Sequence, residues 1–189
     1  MNYSWAQPDD VEVLQKRLDI VKIHDSTNDI DLRIYLSRGF TNSGHVLWIR
    51  RKGEKWLGTK FDYYLKIKRN GETGRINKIN SQNLLPYESW SSLWSSLVNS
   101  NIKNLPNQEE IKDKLRKEVT TTRGKGYEII NVVDGSGYHL TLKDGADVIT
   151  YNFHSPWIYK EKFPEVEEVK NYSDIISTLE KHLDINFRN

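Results

Sequence analysis

From position 30 the chain alternates apolar and polar residues with a period of two. Leu32, Ile34 and Leu36 alternate with Arg33, Tyr35 and Ser37, which predicts a half-buried β-strand. After a turn at 39–44, Val46-Leu47-Trp48-Ile49 predicts a second strand, closed by Lys52-Gly53. The longest alternation follows. Leu57, Thr59, Phe61, Tyr63, Leu65 and Ile67 fall on one face, and Lys60, Asp62, Tyr64, Lys66 and Lys68 on the other. Asn70-Gly71 predicts a two-residue hairpin, because a type I′ turn needs positive φ at both central positions. A weaker strand returns over 74–79. This first β block, about 30–80, reads as a four-strand antiparallel meander.

The period then becomes helical. Trp90, Leu93, Trp94, Leu97 and Val98 recur at i, i+3, i+4, i+7 and i+8, with Ser91, Ser92, Ser95 and Ser96 opposite. Serine forms helices indifferently, so this helix must be held by burial of its apolar face. Further helices are predicted on either side. Val11, Leu14 and Leu18 share a face after Asp9 or Asp10 as cap. Asn107 and Glu110 form a capping-box pattern before Ile111 and Leu115, extending the helical region to about 88–118. The sequence over 120–126 reads as a polar linker.

A second β block spans about 127–154. It comprises a strand at 127–133, the turn Asp134-Gly135-Ser136-Gly137, a strand with Tyr138, Leu140 and Leu142 on one face, and a return at 148–153. His154-Ser155-Pro156 ends it. The segment 157–169 reads as irregular, with Pro164 barring a regular helix. Ser173 is the expected cap of a C-terminal helix, about 173–186, whose stripe is Tyr172, Ile175, Ile176, Leu179 and Leu183. Neither β block has enough helix to cover its own sheet. The expected fold is therefore a single α+β domain over 1–189. About seven antiparallel strands in two meander blocks are packed by a central Trp-rich helix and the C-terminal helix.

Composition changes this picture little. With 37% hydrophobic and 29% charged residues the 189-residue chain is globular rather than disordered. A net charge of +2 is too balanced to imply nucleic acid or an anionic membrane. Cysteine is absent, which removes disulfides, thiolate metal sites and a cysteine nucleophile.

Candidate chemistry is sparse. Gly135-Ser136-Gly137 sits in a hairpin and precedes no helix, so it lacks the donors of a phosphate loop. The five histidines His24, His45, His139, His154 and His182 show no metal-ligand spacing. No cofactor is implied. His139 and His154 flank one hairpin, where Asp134 or Asp144 and Ser136 or Ser155 would be the partners of a hydrolytic arrangement. Arg50, Arg51, Lys60, Lys66, Lys68 and Arg69 around Tyr64 read as a solvated face in preference to a polyanion track. The mixed-charge run at 160–170 lacks calcium-loop spacing. Trp157, Tyr159 and Phe163, with His154 and His139, form the candidate binding set, because aromatics on a loop are the usual material of a ligand groove.

Ser4 and Ala6, before Gln7, match the −3 and −1 positions of a secretory cleavage site, although no basic and apolar leader precedes them. Ser4-Trp5-Ala6-Gln7, Asp134-Gly135-Ser136-Gly137-Tyr138 and Phe163-Pro164-Glu165-Val166 resemble small bacterial exported proteins of unknown function. That resemblance implies no activity and no site residue. The leading expectation is a non-enzymatic binding or accessory domain of the cell envelope, with a protein, peptide or glycan ligand. The alternatives are a hydrolase-like enzyme using His139 or His154, and a cytoplasmic partner-binding protein of inhibitor or immunity type.

Overall fold

The structure, a computed structural model, describes residues 8–38, 41–67, 73–122, 124–130, 132 and 135–187. The fold is α+β. The strands are β1 (Ile30–Arg38), β2 (Ser43–Lys52), β3 (Lys55–Ile67), β4 (Thr73–Leu84), β5 (Arg116–Thr121), β6 (Gly124–Ile129), β7 (Ser136–Asp144) and β8 (Asp147–His154). The helices are α1 (Pro8–Arg17), α2 (Trp90–Asn99), α3 (Pro156–Lys162) and α4 (Glu167–Leu183). Six strands form one antiparallel sheet in the order β4-β3-β2-β1-β7-β8, and β5 and β6 form a separate hairpin. The two expected blocks are thus joined through β1 and β7. Described residues of the segment expected as a linker at 120–126 lie in β5 and β6, and of the strand expected at 127–133 residues 127–129 belong to β6, while 131 and 133 lie outside the described residues.

Register explains the core. Leu32 lies between Ile49 and Leu142, Ile34 between Leu47 and Leu140, and Leu36 between His45 and Tyr138. Directly paired residues share a face, so these rows make one apolar surface, continued by Tyr151 and Phe153 of β8. Val169, Tyr172, Ile175, Ile176, Leu179 and Leu183 of α4 cover it. Ser89 caps α2, its side chain accepting from the Ser92 N–H at 3.0 Å. Leu93 and Leu97 are the buried residues of α2. Trp90 and Trp94, expected to be largely buried, are half-buried and pack on Trp56, with Trp90 stacked at 6.1 Å between ring centroids. The cause is position. α2 lies over the β3 side of the sheet, so its leucines point inward and its tryptophans close the flank.

Three helix expectations need correction. Pro156 both stops β8 and opens α3, since the first helical position tolerates a residue with fixed φ and no N–H. The segment 157–169 is therefore mostly helical, and Pro164 falls in the gap between α3 and α4. Ser173 is buried inside α4, which starts at Glu167 after Val166. The helix expected beyond Asn107 is one 3-10 turn, Gln108–Ile111. Its polar side chains serve the sheet edge instead. Asn107 Oδ1 accepts from the Asn152 N–H at 3.0 Å, and Gln108 Oε1 from the His154 N–H at 2.5 Å.

The other sheet face carries a second core. Val11, Leu14 and Leu18, the stripe expected for α1, pack with Ile20 on Tyr35, Val46 and Tyr63. β1 is therefore buried on both faces, not one. Among the described residues no helix is long and apolar enough to cross a membrane.

Gly44 shows how closely β2 is packed. A Cβ there would lie 2.2 Å from the Tyr63 hydroxyl and 2.6 Å from the Leu36 carbonyl oxygen. The second contact is backbone and cannot rotate away. Gly44→Ala is expected to cost about 1–3 kcal/mol, the range for overpacking. A urea midpoint unchanged by the substitution would contradict this packing.

Candidate functional site

The residues singled out from sequence do not gather into one site. Phe163 is buried, with Tyr159 stacked against it. Tyr159 and Trp157 are half-buried against the main core, and Trp157 meets Tyr138 edge-on at 6.1 Å. His139 lies on the opposite sheet face. Its Nδ1 is 2.8 Å from Asn152 Oδ1 and its Nε2 is 3.2 Å from the Thr141 hydroxyl. Its neighbours there are an amide and a hydroxyl rather than a carboxylate. Burial pushes its pKa down, and the Asn152 bond only partly offsets this. Burial likewise lowers that of His154, against a hydrogen bond with the Gly135 backbone. Ser155 is buried and its Oγ accepts from the Ser136 N–H at 3.1 Å. Asp144 pairs with Lys103. Asp134, Lys68, Arg69, Asn70-Gly71 and Ser4-Trp5-Ala6 lie outside the described residues. The His–carboxylate contact that the structure does show is His45 with Asp62, which Lys60 also approaches at 2.9 Å.

The most organised polar group was not singled out from sequence. Asp31 and Arg33, two apart on β1, point to one face, and both are 0% exposed. The α1–β1 connection seals them: Arg33 Nη1 donates to the Val21 carbonyl at 2.7 Å. Arg33 Nε reaches Asp31 Oδ1 at 2.8 Å and Nη2 reaches Oδ2 at 3.1 Å. Ser26, Asn28 and the Trp48 indole N–H complete the shell of Asp31 at 2.5, 3.0 and 2.9 Å. Burial pushes the Asp31 carboxyl up, but hydrogen bonds from Arg33, Ser26 and Asn28, with the Arg33 charge, hold it below its ordinary value.

This network fixes Trp48, and Trp48 carries Arg50. The Arg50 guanidinium lies 3.8 Å from the centroid of the Trp48 ring, a cation–π stack. No hydrogen bond or ion pair joins the Arg50 side chain to any described residue, and its Nη1 is sealed from solvent without a partner. Burial lowers its pKa, while the Asp31 charge raises it. On the other sheet face Arg51 lies 5.5 Å over Trp56, its partner across β2 and β3.

Apolar surface borders these stacks. Leu57, directly opposite Arg50, is 56% exposed. Gly58 pairs with Leu84, the last residue of β4, and Leu85 follows just beyond the strand. Leu85 is 83% and Tyr87 91% exposed. The β2–β3 end of the sheet thus presents a tryptophan-stacked arginine beside uncovered Leu57 on one face and a second tryptophan-stacked arginine on the other.

A sequence signal for this group existed. Asp31-x-Arg33 places opposite charges on one strand face, and Trp48-x-Arg50 lies opposite them in the hairpin register. Only the pairing shows that the two dipeptide steps meet. Among the described residues no group of three or more histidine, aspartate or glutamate side chains is placed to hold a metal ion. Comparison of the chain with protein-family models, with curated proteins and with solved structures finds no match.

Proposed function

We propose that this chain is a non-enzymatic binding domain that engages a protein partner through the arginine–tryptophan end of its sheet. The observation that carries the reading is Arg50. A guanidinium held on an indole face, with its donors unused inside the fold, is already ordered for an incoming acceptor, so little side-chain entropy is lost on binding. Arginine and tryptophan are the side chains most enriched where interfaces concentrate their energy. Leu57, directly opposite and 56% exposed, supplies apolar area beside the polar anchor, as an interface core requires.

Affinity capture from the native host, with crosslinking and mass spectrometry, tests it. The wild-type chain is expected to retain a specific protein that Arg50→Ala and Leu57→Asp both lose. Val13→Ser, at an exposed position on α1, is expected to retain it. Arg50→Ala should leave stability within about 1 kcal/mol, since the side chain makes no hydrogen bond and only its cation–π contact on Trp48 is removed. Capture that is identical in all three variants would refute the proposal.

A further inference from the structure

We infer that Arg50 is the receptor for a single carboxylate, the side chain of an aspartate or glutamate on the protein partner. This rests on the binding reading above and adds the chemistry of the partner group.

The argument begins with local charge. Arg33 contacts the Asp31 carboxylate, and Arg50 and Lys143 are the cross-strand partners of Asp31 on β2 and β7. Asp31 already accepts from Arg33 twice, from Trp48, from Ser26 and from Asn28. A carboxylate offers about four lone-pair sites, so Asp31 has no capacity left for Arg50. Lys143, the partner of Asp31 across β1 and β7, directs its Nζ to the Ser26 and Asn28 carbonyls. The cluster therefore holds three cations against one anion. Its surplus charge sits where burial already disfavours it, and of the three cations the Arg50 guanidinium alone makes no hydrogen bond within the described residues. One further carboxylate would balance part of that excess and satisfy the planar fork of a guanidinium.

Carboxylate is favoured over phosphate by the surroundings. Arg33 is fully buried, Lys143 is turned to carbonyls, and the exposed Lys52, two residues along the same strand face, donates to the Thr27 hydroxyl, so of these cations only the Arg50 guanidinium is without a hydrogen-bond partner. Its cross-strand neighbour is Leu57, and that of Trp48 is Thr59, neither of which carries charge. A dianionic phosphate is matched by several cations together. An acidic side chain followed by an apolar one matches Arg50 beside Leu57.

The test uses the folded full chain and defined probes. N-acetyl-Glu-Leu-amide, N-acetyl-Gln-Leu-amide and inorganic phosphate are titrated separately, and nitrogen–proton correlation spectra are recorded. The Trp48 indole signal is assigned with Trp48→Phe, and the Arg50 Nε–H signal with Arg50→Gln. The glutamate peptide is expected to move both signals saturably. The glutamine peptide should bind at least about tenfold more weakly, the difference between a charge-assisted and a neutral acceptor. Arg50→Gln should abolish the response while its spectrum stays dispersed. Equal responses to the two peptides, a phosphate response as strong as that to glutamate, or no saturable shift would each overturn the inference. The two readings fail separately. Partner capture that needs Arg50, with no peptide response, leaves the docking surface standing and removes the carboxylate. Capture indifferent to Arg50 removes both.

Discussion

Replacing Arg33 with methionine is expected to destabilise the fold by about 3–5 kcal/mol, the range for breaking one side of a buried ion pair. The loss comes from what remains. Asp31 would stay fully buried with two of its five hydrogen bonds gone and no countercharge in contact. Asp31→Leu should cost a similar amount, because it strands Arg33 and removes the acceptor of the Trp48 indole. The double variant Asp31→Leu with Arg33→Met should recover a large part of the loss, since neither charge is then left alone. The same pair predicts acid sensitivity. The folded Asp31 has a lower pKa than an unfolded aspartate, about 3.9. Its contribution is complete above the unfolded value and is lost as pH falls through the folded one. Urea midpoints measured from about pH 5 to about pH 2 should decline in the wild type and decline less in the double variant. An Arg33→Met midpoint corresponding to less than about 1 kcal/mol would show that the ion pair is peripheral to stability.

Phe153→Ala is expected to cost a similar amount, about 3–5 kcal/mol, as for truncation of a core aromatic. Phe153 is fully buried between two parallel rings. Tyr138 stacks on it at 4.9 Å and Tyr172 at 4.8 Å, with interplanar angles of 7° and 2°. The stack ties β7, β8 and α4 together, so the cavity would open where sheet and helix meet. Trp157→Ala, which loses an edge contact from a half-buried position, should cost less than half as much. The paired denaturation midpoints measure where the core ends along the exit from β8. A Phe153→Ala variant within about 1 kcal/mol of wild type would mean that the stack does not bind α4 to the sheet.

Much of the architecture was legible in the pattern of residues. The period-two run of β1, the long alternation of β3, the stripe of α1 and the serine-backed face of α2 each appear where periodicity places them. Local repetition reports an element because one face must be apolar whatever that face later packs on. Errors cluster where one residue has two local meanings. Pro156 reads as the end of a strand, yet the same fixed φ suits the start of α3. The polar, glycine-containing run at 120–126 reads as linker. Its described residues lie in a two-strand hairpin whose pairing runs from Arg116 with Ile129 to Thr121 with Gly124.

The candidate surface was far less legible. Arg33 and Tyr35 alternate with leucine and isoleucine, and alternation alone assigns them to solvent. The hydrophobic pattern by itself determined that the chain is α+β, that its strands are antiparallel and that α1, α2 and α4 each bury one face. Tertiary structure alone decided that β1 lies mid-sheet, between β2 and β7, with α1 and the α1–β1 connection over its second face. That placement buries Asp31 with Arg33 and leaves Trp48 holding a half-buried Arg50. The physical reason is one of range. Periodicity is set by neighbours a few residues apart, whereas the burial and pairing of a charge depend on residues that chain closure brings from far along the sequence, such as Lys143 beside Asn28.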